Sequence, residues 1–209
     1  LLFKGFTLLH EAVEKGIPAE KVAVIIDIIK NTFFELGDAE ALELQFRGRI
    51  DIAPEEYLSM VRKKAADVEA HTRISAILGD GSKEEIEALS KYGSLLGMMI
   101  ILRDDLIDVI ECEEIVHRIK REHLPLPIIY AIQNPDIKSK ISSILLKKTI
   151  TKRNAGTILK ITDETQGLER VGKLMHELAN DAYLQIENLK TNKDYLALLV
   201  KSLLPSVSN

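Results

Sequence analysis

The chain of 209 residues has no tryptophan, a single cysteine (Cys112) and only 5% aromatic residues. One cysteine excludes a disulfide framework within the chain and points to a reducing compartment, the cytoplasm. No apolar run approaches the ~20 residues needed to span a bilayer. The start, Leu1-Leu2-Phe3-Lys4-Gly5-Phe6, lacks the basic lead and long apolar stretch of a signal peptide. Period-two alternation and Asn-Gly hairpins are missing too, so strands are not expected. At a net charge of −4 no basic face dominates, which argues against a nucleic-acid surface. The usual catalytic signatures are also missing. There is no Gly-x-Ser-x-Gly elbow, no Walker or Rossmann glycine loop, and no second Glu-x-x-His to join Glu114-x-x-His117, as a di-iron bundle needs. His10, His71, His117, His123 and His176 are scattered, without zinc spacing. Nor is there an initiator methionine or a capping residue ahead of the amphipathic start. The expectation is that residue 1 lies inside a helix with more chain before it.

What remains is helical periodicity. Leu2, Phe6, Leu9 and Val13 define a first helix stopped at Gly16-Ile17-Pro18. A second carries Val22, Ile25, Ile26 and Ile29 and is broken or kinked at Gly37. Pro54-Glu55-Glu56 opens a long helix through Tyr57, Val61, Ala65 and Val68 to Leu78. Ser82 and Glu85 form a capping box for the next, which runs through Tyr92 and Leu96 into an acidic end. A basic stretch, His117-Arg118-Ile119-Lys120-Arg121, precedes Leu124-Pro125-Leu126-Pro127, which resists helix as far as Pro127. Further helices start at Asn134-Pro135, near Lys152, near Leu168 and near Tyr195. With no fixed repeat and no low-complexity linker, the expectation is an all-α bundle forming one domain over residues 1–209.

The acidic end reads Arg103-Asp104-Asp105-Leu106-Ile107-Asp108. Asp104 and Asp108 share one helix face and Asp105 lies about 100° round from Asp104. Like charges at this spacing cost a helix a few tenths of a kcal/mol. They call either for solvent or for a cation, and hard carboxylate oxygens suit Mg²⁺ bridging to phosphates. Lys63 and Lys64 sit mid-helix. They read either as snorkelling surface lysines or as a source of one ammonium turned to a diphosphate. Glu40, Glu43 and Gln45 read as surface residues, and Arg47 and Arg49 as solvated.

Several pieces taken together resemble a known family. Tyr57-Leu58-x-Met60-Val61-x-x-Lys64-Ala65-Ala66, Gly79, Tyr92-Gly93-x-x-Leu96-Gly97 and Asp104-Asp105-Leu106-Ile107-Asp108 match, in order and spacing, the second half of trans-polyprenyl diphosphate synthases. The resemblance implies an isoprenoid-synthase helical bundle lacking its first helices. It implies a prenyltransferase that condenses an allylic diphosphate with isopentenyl diphosphate, depends on Mg²⁺ and forms a homodimer. By position it makes Asp104, Asp105 and Asp108 metal ligands, with Asp104, Asp105 and Lys64 catalytic. Lys64 becomes a diphosphate-binding residue, and either Lys120 or Arg121 stands in for a second lysine from a loop that is shortened here. Glu40 and Glu43 fall where the family has a polar pattern. Four features depart from that pattern. The first aspartate-rich motif is absent, Ile100-Ile101 replaces Phe-Gln, Ala65 replaces Thr, and the glycine- and lysine-rich loop is reduced to residues 116–121. These departures give an alternative reading, a non-catalytic subunit of a heteromeric synthase. A terpene cyclase is disfavoured: its motif needs a hydroxyl at Val109, and few aromatics remain to cradle a cation.

Overall fold

Among the described residues (2–147, 149–190 and 192–205 of a computed structural model) there are eleven helices and no strand. In order they are α1 (Leu2–Glu14), α2 (Ala19–Phe46), α3 (Pro54–Lys64), α4 (Ala66–Leu78), α5 (Lys83–Ile110) and α6 (Cys112–Arg121). Then follow α7 (Leu126–Ala131), α8 (Pro135–Leu145), α9 (Lys152–Glu164), α10 (Gly167–Ile186) and α11 (Lys193–Leu203). Leu1, on which the expectation of a helix already under way falls, lies outside the described residues. None of these helices is long and apolar enough to cross a membrane.

The starts obey local chemistry. Ser82 Oγ accepts the Glu85 N–H at 3.2 Å while the Glu85 carboxylate accepts the Ser82 N–H at 2.8 Å, the reciprocal box that fixes the entry of α5. The Asn134 side chain accepts from the N–H groups of Asp136 and Ile137, with Pro135 in the first turn of α8. Gly16 closes α1 in the left-handed region at φ 94°, open to glycine at no steric cost.

The axis of the bundle is α5. Tyr92, Leu96, Met99, Leu102, Asp105 and Val109 are all buried and recur at steps of three and four residues, a single inward seam. On one side α5 packs against α4, on the other against α10, whose Val171, Met175, Leu178, Ala182 and Ile186 supply the matching seam. The approach to α4 is close because two seam-side residues lack a side chain. A Cβ on Gly93 would stand 2.1 Å from Thr72 Oγ1 and 2.8 Å from the Val68 carbonyl oxygen. On Gly97 it would stand 2.8 Å from Ala65 Cβ. Neither glycine admits even alanine without movement.

Three local expectations are corrected. Helix α2 runs unbroken through Gly37, which faces open space; an exposed mid-helix glycine costs only about 1 kcal/mol, and the flanking turns outweigh it. The segment opened by Pro54 is interrupted at Ala65 (φ −70°, ψ −8°), so α3 and α4 are separate pieces joined at a tight joint. The basic stretch is helix α6, with Ile115 buried and Ile119 partly buried on its inner face.

Candidate active site

The C-terminal part of α5, the ends of α2 and α3, helix α6 and the strap into α7 surround a cleft of about 400 Å³. Its apolar wall includes Leu36, Met60, Ile100 and Ile101, so the pair that replaces Phe-Gln faces the cleft. Its charged lining consists of Glu43, Asp67, Asp104, Asp105 and Glu122 against Lys64 and Arg118, five carboxylates to two cations.

Asp105 lies on the buried seam of α5 and is 1% exposed. Its carboxylate accepts the Tyr57 hydroxyl at 2.7 Å, the Leu126 N–H at 3.0 Å and Arg118 Nη2 at 3.0 Å. Burial pushes the Asp105 carboxyl up, and Arg118, the Leu126 N–H and Tyr57 oppose it. Burial and the neighbouring Asp105 push the Tyr57 hydroxyl well above its usual range, so it remains a donor. Asp108 accepts Arg118 Nη1 at 2.6 Å. Burial by itself would lower Arg118. Asp105, Tyr57 and Asp108 outweigh that and hold its guanidinium charged. Arg118 Nε lies 3.2 Å from Glu122 Oε2 but off the line of its N–H, an ion pair without a hydrogen bond.

The network continues through His123, 4% exposed, which stands edge-on to the Tyr57 ring at 5.3 Å. Its Nδ1 lies 3.3 Å from Arg118 Nη2 and its Nε2 lies 3.1 Å from Glu43 Oε1. Since a guanidinium only donates, Nδ1 accepts and Nε2–H donates to Glu43. Glu43 also accepts Lys64 Nζ at 2.5 Å. The His123 hydrogen bond first and Lys64 next hold the Glu43 carboxyl down at about 2, against burial.

Of the residues singled out in the sequence, Asp104, Asp105 and Lys64 line the cleft, and Asp108 joins it through Arg118. Asp104 is exposed to the cleft without a hydrogen-bonding partner among the described residues. Burial and the like charge of Asp108 raise its carboxyl. Lys120 and Arg121 are exposed and not among the lining residues; one turn earlier, Arg118 is the cation that α6 turns inward. The reason is that this stretch is a helix, and Arg118 shares the inner stripe of Ile115 and Glu122. Glu43, read as a surface residue, is instead a shared acceptor inside the site. Lys63 pairs outside the cleft with Glu35 and Asp38. Sequence reasoning missed Arg118 and His123. The three-residue step from Ile115 to Arg118 was a legible signal for the first, and nothing local marked the second.

Among the described residues no three His, Cys, Asp or Glu side chains converge as a metal site. The donor set fits Mg²⁺ at one carboxylate only. Asp104 is unpaired in a cleft with excess negative charge, and Mg²⁺ commonly takes one or two carboxylates, with water and phosphate oxygens completing the shell. It does not fit an ion chelated by all three aspartates, because Arg118 already spans Asp105 and Asp108.

The polyprenyl synthetase family model matches residues 1–162, and the chain belongs to that family. It is 36% identical over 110 residues to a short chain isoprenyl diphosphate synthase of Methanothermobacter thermautotrophicus, covering 52% of this chain and 34% of that one. It is 33% identical over 128 residues to a geranylgeranyl diphosphate synthase of Methanosarcina mazei, covering 59% and 40%. The aligned part is thus between a third and two-fifths of each relative's length. In fold it is similar to a geranylgeranyl pyrophosphate synthetase from Pyrococcus horikoshii, with a TM-score of 0.79 at 24% identity over 93% of this chain and 62% of that one.

Proposed function

We propose that this chain builds a diphosphate-binding site in a prenyltransferase that joins an allylic diphosphate to isopentenyl diphosphate and releases pyrophosphate. The observation that carries the reading is Asp104, an unpaired carboxylate in a cleft with Lys64 and Arg118 on its charged side and Leu36, Met60, Ile100 and Ile101 on its apolar side. An acidic cleft repels a diphosphate unless a cation mediates, and Asp104 is the residue to hold Mg²⁺. When bound, that ion would stabilise the charge gathering on the leaving diphosphate.

The chain's own residues supply the rest. Lys64 presents an ammonium that Glu43 aims and keeps in place, a point charge for a phosphate oxygen. Tyr57 holds Asp105, and through it Arg118, so the charged floor is set before substrate arrives. The apolar wall keeps water from the allylic carbon as its C–O bond breaks and the isopentenyl double bond forms the new C–C bond with loss of a proton. Lys120 and Arg121, exposed at the end of α6 and outside the cleft lining, would act on an anion only as unpositioned surface charge.

The test is to incubate the intact protein with Mg²⁺, isopentenyl diphosphate and allylic diphosphates of several lengths. Pyrophosphate release with a lengthened product is expected, and silence at every length overturns the reading. A homodimer in a reducing, cytoplasmic setting belongs to the same proposal, and native mass spectrometry finding another stoichiometry removes that part.

A further inference from the structure

Asp105 and Asp108 lie three residues apart on one face of α5, one buried and the other half-buried. Two carboxylates so placed, one of them buried away from solvent, favour a cation between them, and the family resemblance makes that a divalent ion. The structure has one already. Arg118 reaches across from α6, with Nη1 on Asp108 at 2.6 Å and Nη2 on Asp105 at 3.0 Å, in a side chain only 12% exposed. The rest of Asp105 is occupied by the Tyr57 hydroxyl and the Leu126 N–H, so its oxygens are already engaged although the residue lines the cleft.

We propose that Arg118 is the resident counter-cation of the acidic motif: its guanidinium fills the position between Asp105 and Asp108 where a divalent ion would otherwise sit, and Asp104 alone of the three aspartates is left to hold an added metal. The planar fork suits this role. It spans two carboxylates at once and gives up its water more readily than Mg²⁺, which dehydrates reluctantly and demands near-octahedral oxygens. The arrangement also ties α6 to α5 without any ligand. It holds whether or not the protein is a prenyltransferase, because it concerns charge neutralisation and not turnover.

Mn²⁺ binding to the intact protein, followed by water-proton relaxation, together with thermal unfolding with and without millimolar Mg²⁺ against a salt-matched control, tests it. Asp104→Asn should weaken Mn²⁺ binding by about tenfold or more, whereas Asp108→Asn should change it by less than about threefold. Arg118→Met should lower the unfolding midpoint by several degrees, and Mg²⁺ but not salt should restore at least about half of the loss, since an ion can then enter between the freed carboxylates. If Arg118→Met does not fold, Arg118→Lys carries the test, with a smaller fall that Mg²⁺ again reverses. An Asp108→Asn loss as large as that of Asp104→Asn overturns the proposal. So does an unchanged Mn²⁺ affinity in Asp104→Asn. So does an Arg118 variant whose midpoint is that of the wild type, or one insensitive to Mg²⁺.

Discussion

Helices α2 and α5 are each 28 residues long and both line the cleft, yet they are used in opposite ways. Helix α5 is embedded. Its seam is continuous, two of its glycines are pressed against α4 and the Ala65 joint before it, and even one of its aspartates is buried. Helix α2 lies on the flank. Val22, Ile25 and Ile28 face inward, while Phe33 and Phe34 stand 57% and 70% exposed. The two sequences have similar apolar content, so burial follows from position in the bundle and not from composition. The difference shows which helix fixes the geometry of the site and which one supplies side chains, Leu36 and Glu43, to it.

Substitutions at the cleft end of α5 should separate the two helices most. In the intact protein Asp104→Ala is expected to lower turnover in the proposed prenyl transfer about a thousandfold, roughly 4 kcal/mol in the barrier, with the fold kept. Steady-state kinetics within a few-fold of wild type would refute a role for that carboxylate. Because burial and Asp108 raise the Asp104 carboxyl, its charge opposes folding once pH rises through that raised value. Asp104→Asn should therefore unfold at the same or a slightly higher temperature at neutral pH, a gain in stability with a loss of activity.

Gly97→Leu probes the tight face of α5. A side chain there meets Ala65, and overpacking costs about 3 kcal/mol, visible as a large fall in denaturation midpoint by circular dichroism. A wild-type midpoint would show that the two helices are free to part. On α2, Glu43→Gln removes the negative charge shared by His123 and Lys64 and leaves one neutral acceptor oxygen. The Glu43 carboxyl is depressed from 4.5 to about 2, so its contribution is complete above pH 4.5 and lost as pH falls through about 2. Discounted for partial exposure, it is about 1–2 kcal/mol. Unfolding midpoints of wild type and variant should differ at pH 7 and converge near pH 2; a gap of constant size would deny the ionic origin. The smallest effect belongs to the outer face of α2, where Phe34→Lys should stay within about 0.5 kcal/mol. A drop of several degrees would mean that something covers that face.

The all-helical class, most helix starts and the central position of the aspartate helix were legible because period, caps and prolines are local signals. Ser82 with Glu85 and Asn134 with Pro135 announce themselves in four residues or fewer. Gly37 misled because a glycine's cost is small enough for neighbouring turns to absorb. The Ala65 joint was invisible, since neither glycine nor proline marks it; the packing against Gly97 does. In the site, Asp104 was singled out by spacing and Lys64 by the family resemblance, and both line the cleft. The burial of Asp105 could have been read from its register with Leu102 and Val109 but was masked by its charge. Glu43, Arg118 and His123 meet only through contacts between residues up to 80 apart in sequence, which no periodicity reveals.

The joint at Ala65 has one more consequence. Lys64 ends α3 immediately before it, and Ala65 rests against the bare backbone of Gly97, two turns ahead of Asp104 on α5. The ammonium and the carboxylate are thus mounted on main chains that touch, like the two jaws of a fixed gauge. The separation of the two charged side chains is tied to that backbone contact and not only to the reach of either side chain.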